Sequence, residues 1–370
     1  MLDSSTNITF LFNSGRQKRI NENNHFPKEH FYGYFNFKKN FINTKFIEYS
    51  EGKVKFSIVS VILRKITKFP IYTERIIHGN NKKVIKNSDI LIFSNQNVYY
   101  SVFPYLLFKN RKKKIVVFIM GYRNVLKKNK NFNRIQRFFF SFVINKIDRI
   151  IFLSKNELDI FSEEFVKFSY KTSYLPFVVD ETFWSRKINK PNNNTILFVG
   201  NDENRDYKKT IEIVNSMKDV NFIIVSSKID ETKLFKNNYQ LINSSWKSNE
   251  LTDYDLKKIM EKVDISIIPV HKKATQPSGQ SVALQCLAME IPVMISSFEG
   301  FWDKELFKHR KNIYIVETHS KSSWVKNIHT LLGEDEMKKT ISKNGRVLID
   351  RVFNLENFYK NLLEEINLIK

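Results

Sequence analysis

The chain has 370 residues, and its 61 Lys and Arg against 38 Asp and Glu leave a formal charge of +23. The apolar content of 42%, with 14% aromatics and only 10 Gly and 8 Pro, excludes a disordered, collagen-like or linker-dominated protein, and the length allows two domains with a core each. The single cysteine, Cys286, excludes a disulfide framework or thiolate metal cluster and fits a reducing compartment.

The opening stretch MLDSSTNITFLFN reads as a first strand rather than a signal peptide, because no charged region precedes a long apolar run. Apolar runs at 8–12, 45–49, 90–94, 115–120 and 149–154 predict strands, and helical patterns fall near 29–40, 56–68, 97–108, 133–147 and 155–167. Apolar strands separated by helices of ten or more residues imply βαβ units and a parallel sheet buried on both faces. After Pro176 the chain is turn-rich, and the polar run KINKPNNN at 187–194 is the best domain boundary. The alternation then restarts, with strands predicted at 196–200, 221–226, 239–243, 265–270, 293–297 and 312–316. Helices are predicted at 207–218, 251–263, 280–290, 320–332, 335–349 and 355–368. The expected architecture is two Rossmann-like doubly wound α/β domains, 1–178 and 179–350, facing a central cleft, with a helix at 351–370 packing back on the first. No run approaches the ~18–20 apolar residues that cross a bilayer.

The charge is uneven: residues 1–178 carry 32 basic against 12 acidic side chains, and 179–370 carry 29 against 26. Between 109 and 137 lie Lys109, Arg111, Lys112, Lys113, Lys114, Arg123, Lys127, Lys128, Lys130, Arg134 and Arg137 without one acid, beside Phe132, Phe138, Phe139, Phe140 and Phe142. Basic groups among aromatics suit an anionic membrane surface, where each Lys or Arg contributes about 1 kcal/mol. Nucleic acid is the rival partner for such a patch, but no helix-turn-helix, zinc module or single-strand-binding motif supports it.

The most informative stretch is QPSGQSVALQCLAMEIPVMISS at 276–297. It enters a helix through Ser278, Gly279, Gln280 and Ser281, and a glycine at a helix start lets a ligand approach the free first-turn amides, where the helix dipole favours an anion. A second loop, GNDENRDYKK at 200–209, ends a strand at Gly200 and sets Arg205 and Lys209 at the next helix start, where a guanidinium can pair with two phosphate oxygens. Read alone, each loop is equally an ordinary helix cap or a solvated charged turn.

Together the two loops resemble the retaining GT-B nucleotide-sugar glycosyltransferases of family four, the glycosyl transferases group 1. ILFVGNDENRDYKKTIEIV is similar to the family's phosphate-binding strand, loop and helix, and SGQSVALQCLAMEIPVMIS to its donor loop and helix. The series Asp148, Ser154 and Glu157 resembles the end of its acceptor domain, and Val179-Asp180 with Phe183-Trp184 its interdomain signature. Two departures stand out. Gln276 and Gln285 are the nearest residues to the family's paired glutamates, with one extra residue between them, and Glu290 replaces the glycine before Pro-Val. A glutamine hydrogen-bonds hydroxyls but is no acid, base or nucleophile.

The resemblance implies transfer of a hexosyl-type sugar from a UDP-, GDP- or dTDP-linked donor to a hydroxyl of a saccharide or lipid-linked saccharide. It implies retained anomeric configuration, no metal and no further cofactor, in bacterial surface polysaccharide or lipopolysaccharide synthesis on the cytoplasmic face of the plasma membrane. Arg205 and Lys209 would stabilise the departing diphosphate. Gly15, Gly200, Asn204, His271, Gln276, Ser278, Gly279, Gln280, Ser281, Val282 and Gln285 would contact the donor, Gln285 at the ribose. Gly121, Tyr122 and Arg123, in a loop where relatives often carry a catalytic histidine, would lie on the acceptor side. The alternatives are an inactive GT-B scaffold or binding subunit, and a DNA-modifying glucosyltransferase.

Overall fold

The computed structural model describes residues 2–22, 25–51, 57–107, 113–123, 133–186, 193–235, 237–244 and 251–369. The chain forms two compact units, one of Met1–Asn24, His30–Pro176 and Phe358–Lys370, the other of His25–Glu29 and Phe177–Asn357.

The first unit is built on β1 (Ile8–Phe12), β2 (Lys45–Glu48), β3 (Ile90–Phe93), β4 (Lys114–Ile119), β5 (Arg149–Phe152) and β6 (Thr172–Tyr174), in the order β2-β1-β3-β4-β5-β6. Every pairing is parallel, and strands such as ITFLF and ILIF are buried along their whole length, as a sheet covered on both faces requires. Its helices are α1 (Arg16–Glu22), α2 (Tyr34–Asn40), α3 (Ile58–Thr67), α4 (Gly79–Asn87), α5 (Gln96–Leu107), α6 (Asn133–Asn145) and α7 (Lys155–Glu164). Ser154 caps α7, its hydroxyl accepting the Glu157 amide at 3.4 Å.

The second unit repeats the plan with β7 (Thr195–Val199), β8 (Asn221–Val225), β9 (Tyr239–Ile242), β10 (Ile265–Ile268), β11 (Val293–Ser296) and β12 (Tyr314–Val316), all parallel in the order β12-β11-β10-β7-β8-β9. Its helices are α8 (Tyr207–Ser216), α9 (Asp253–Met260), α10 (Gln280–Ala288), α11 (Lys321–Gly333) and α12 (Asp335–Arg351). A last helix, α13 (Leu355–Asn367), leaves this unit at Phe358, whose ring stacks 5.9 Å from Phe118 of the first.

The winding direction reverses between β1 and β3 in the first unit and between β7 and β10 in the second, so the loops leaving those strands flank the crevices where doubly wound sheets bind ligands. Three elements were not predicted: α1, α4 and β6. RQKRINE and GNNKKVIKN carry one and two branched apolar residues, too few for a stripe, and TSY is a three-residue edge strand. The predicted helix over 29–40 is broken by Tyr32 and Gly33, both at positive φ, into a short turn at Glu29–Phe31 and α2.

Candidate functional site

The reversal in the second unit is where the two charged loops meet. Loop 200–206 runs antiparallel to the chain leaving β10, with an Arg205–Val270 bridge, the Asp206 amide donating to the Pro269 carbonyl at 3.0 Å and the His271 amide to the Asn204 carbonyl at 2.9 Å. This zipper drives the Arg205 side chain inward, where it is 3% exposed. It lies against both glycines: a Cβ on Gly200 would meet Arg205 Nε at 2.8 Å, and a Cβ on Gly279 would meet Arg205 Nη1 at 2.5 Å and Ile268 Cγ2 at 2.6 Å. Gly279 also stands at φ +85°, so backbone conformation and side-chain space both exclude other residues.

Asp202 fastens the loops together. Its Oδ1 accepts the Ser278 hydroxyl at 2.6 Å and the Asn204 amide at 3.0 Å, and its Oδ2 sits 2.9 Å from Arg205 Nε as an ion pair whose alignment falls short of a hydrogen bond. Arg205 Nη1 is buried and has no hydrogen-bond acceptor among the described residues. Burial pulls the guanidinium pKa below its ordinary value while Asp202 pulls it back, and the group stays charged. An unpaired buried N–H costs about 1–3 kcal/mol, more on a charged group, and a ligand anion would relieve it. Beside this pair, Asn204 Nδ2 donates to Gln276 Oε1 at 3.1 Å.

α10 starts at this guanidinium. Ser278, Gln280, Val282 and Gln285 are buried and Ser281 is half-buried. The far end is fixed by Arg346 Nη1, which donates to the Ala288 carbonyl at 2.6 Å. Glu290, at φ +55°, occupies a left-handed position that favours glycine. Gln285 points to a carboxylate: its Nε2 donates at 3.1 Å to Glu29 Oε1, which also takes Trp184 Nε1 at 2.8 Å, while Glu29 Oε2 takes the Asp180 amide at 3.2 Å. Burial pushes the Glu29 carboxyl up to about 7, against these hydrogen bonds.

Two of the expected residues stand differently. Lys209 Nζ is 2.5 Å from Glu212, one turn along its own helix. The His271 ring is more than half exposed, with Nδ1 3.6 Å from Asp206 Oδ2.

In the first unit, Gly15 (φ +104°) opens α1, and Glu48 at the end of β2 accepts the Arg16 amide at 2.8 Å and the Gln17 amide at 3.3 Å. Glu157 likewise accepts the amides of Gly121 and Tyr122. The Tyr122 ring is 1% exposed, packed among Phe140, Phe161 and Phe165, and its hydroxyl and the Arg123 guanidinium both bond Glu164. Gly121, Tyr122 and Arg123 therefore hold the turn after β4 onto α7. An open depression of this unit, about 590 Å³, lies by β2, lined by Glu48, Ser50, His78 and Asn81. Within the basic run, Lys109, Arg111, Lys112, Lys127, Lys128, Lys130 and Phe132 lie outside the described residues. Among the described residues no cluster of His, Cys, Asp or Glu could hold a metal ion, and no helix is long and apolar enough to cross a membrane.

Two six-stranded parallel sheets, each doubly wound, with charged loops at the reversal of the second, define the GT-B glycosyltransferase fold. Solved structures share it. Sucrose-phosphate synthase from Thermosynechococcus elongatus matches with a TM-score of 0.69 at 11% identity, over 97% of this chain and 98% of that one. Anabaena HepE in complex with UDP and glucose matches at 0.65 and 12%, over 98% and 100%. WaaG, a glycosyltransferase involved in lipopolysaccharide biosynthesis, matches at 0.61 and 13%, over 98% and 99%. No curated protein sequence matches the chain. Residues 180–348 match the family Glycosyl transferases group 1. Sequence reading chose Arg205 from this site but passed over Asp202, a loop carboxylate with no motif of its own, and Glu29, which lies far from α10 along the chain.

Proposed function

We propose that the protein transfers a sugar, of hexosyl type, from a nucleoside-diphosphate donor to a hydroxyl of a saccharide carried on lipid, in the assembly of a bacterial surface polysaccharide or lipopolysaccharide. The observation that carries this reading is the buried Arg205 guanidinium, laid against the Gly279 turn with Nη1 unpaired. As the glycosidic bond breaks, negative charge grows on the diphosphate. A fixed cation in a dry site stabilises that charge without reorganising, which is worth more than the same contact in water. The α10 dipole adds to it. Gly200, Asn204, Gln276, Ser278, Gly279, Gln280, Ser281 and Val282 form the donor pocket in this reading, with Gln285 at the ribose and Lys209 and His271 at its margin. Retention and independence from metal follow from the resemblance to family four. HepE was captured with UDP and glucose, which supports a nucleotide-sugar donor.

The acceptor's lipid side is supported by the first unit's surface. α3 is turned inside out: its buried residues are Ser60 and Thr67, while Ile58, Val59, Ile62 and Ile66 are each at least half exposed. α6, in contact with it, presents Ile135, Phe138 and Phe142 outward. Exposed Lys65, Lys68, Arg134 and Arg137 border the two stripes. Apolar side chains ringed by cations suit the headgroup boundary of an anionic bilayer, at the inner face of the plasma membrane. Incubation with a panel of nucleotide sugars tests the transfer. Turnover of one donor that disappears in Arg205→Ala is expected, and silence toward every donor would favour a binding subunit. Sedimentation with anionic vesicles, abolished by Ile62→Glu with Phe138→Glu, is expected for the membrane face; pelleting with duplex DNA instead would contradict it.

A further inference from the structure

We infer that Glu29 is a positioning residue for the nucleotide: by accepting the Gln285 amide N–H it fixes which way that amide faces and turns the Gln285 carbonyl oxygen toward the ribose. The inference rests on the donor site proposed above and adds a residue that lies on neither loop nor on α10. A glutamine side chain can present either its NH2 or its oxygen, and the partner decides. Here the decision is strict. Trp184 Nε1 and the Asp180 amide are donors only, and both converge on Glu29, at 2.8 and 3.2 Å. With Gln285 Nε2 at 3.1 Å they make the ionised carboxylate, the form above pH about 7, a pure acceptor, so a flipped Gln285 would set oxygen against oxygen. Glu29 is 1% exposed, and its segment is held by the Lys28 amide donating to Asp180 Oδ2 at 3.0 Å, so it has little freedom to adapt.

The consequence is chemical. A ribose hydroxyl needs an acceptor, and the resemblance gives relatives a glutamate at this place on the helix. In this chain a glutamate at 285 would face Glu29 at about 3 Å, an arrangement two ionised carboxylates do not tolerate. Acceptor duty toward the sugar therefore falls to the Gln285 oxygen, and Glu29 supplies the carboxylate one layer deeper.

Calorimetric titration of UDP, GDP and dTDP, and of inorganic pyrophosphate, which lacks a ribose, into wild type, Glu29→Gln, Gln285→Glu and the double variant at pH 8 tests this. Each single variant is expected to weaken the preferred nucleotide about fivefold, the worth of one hydrogen bond, while leaving pyrophosphate unchanged. The double variant is expected to bind no more weakly than the weaker single variant, because both substitutions act through the one Gln285 amide. If Glu29→Gln does not fold, Glu29→Asp, which draws the carboxylate back from Gln285 Nε2 while keeping its charge, is expected to show the same ribose-specific loss. Additive losses in the double variant, or equal losses for pyrophosphate, would overturn the positioning role. Nucleotide binding that Arg205→Ala removes but these variants leave intact would overturn it alone, whereas a wild-type chain that binds no nucleotide would overturn the donor site with it.

Discussion

The two units share a doubly wound parallel plan, in different strand orders, but place opposite charges on the backbone at their carboxyl ends. In the first, Glu48 sits on the opening amides of α1 and Glu157 on the amides of Gly121 and Tyr122. In the second, the side chain against the Gly279 turn is the Arg205 guanidinium. An amide-rich turn that already holds a protein carboxylate is neutralised from within, while one backed by a guanidinium with a buried N–H left over gains from an incoming anion. On the proposed function, diphosphate chemistry falls to the second unit despite the larger net positive charge of the first half of the sequence. Net charge sets what a surface attracts; a site is set by which buried group lacks a partner.

The largest effect should separate the units outright. Arg205→Ala is expected to lower turnover about a hundredfold, the scale of losing one preorganised charge donor, with little change in unfolding. Gly279→Ala should cost nearly as much through the overlap with Nη1. Gly15→Ala, whose Cβ would meet nothing within 4 Å, should show only the backbone penalty of about 1 kcal/mol in urea unfolding and unaltered donor affinity.

Next is pH. Burial raises the carboxyls of both Glu29 and Glu157 to about 7. Between the ordinary carboxyl pKa and 7 the folded chain holds protons that the unfolded chain has lost, so stability falls as pH rises through that window and levels off above it. Each group accounts for roughly 3 kcal/mol. Urea midpoints measured from pH 5 to 8 should fall, and Glu157→Gln should flatten part of that slope while leaving nucleotide binding as it was. A slope unchanged in Glu157→Gln would mean the carboxyl is not the titrating group.

A smaller loss, about 1 kcal/mol in the same assay, is expected for Glu48→Ala, which strips the acceptor from the start of α1. Glu290→Gly should go the other way, raising stability by up to about 1 kcal/mol by relieving a left-handed glutamate. Circular dichroism melting of both variants checks the two signs.

Both sheets were legible because buried parallel strands are written as short apolar runs, and ILIF or TILFV leave little choice. What escaped were elements stabilised from outside: α4 hangs on the burial of Ile85, and β6 on pairing with β5. At the site, the helix-opening glycine and the loop arginine were readable because each motif is local. Their common edge of a parallel sheet was readable too, while the contact between them depends on the non-local bridge from Arg205 to Val270. Glu29 was invisible for the same reason, being 256 residues from Gln285. Tyr122 and Arg123 looked available after a strand, yet Glu157 and Glu164, a helix away, engage that turn.

The most direct measurement is the affinity of UDP, GDP and dTDP for wild type, Arg205→Ala and Arg16→Ala, each with its unfolding midpoint. Binding of one nucleotide by wild type and Arg16→Ala, weakened at least about tenfold in a folded Arg205→Ala, is the expected result. Equal affinity in Arg205→Ala, with loss in Arg16→Ala, would move the anion site to the first unit and contradict the assignment.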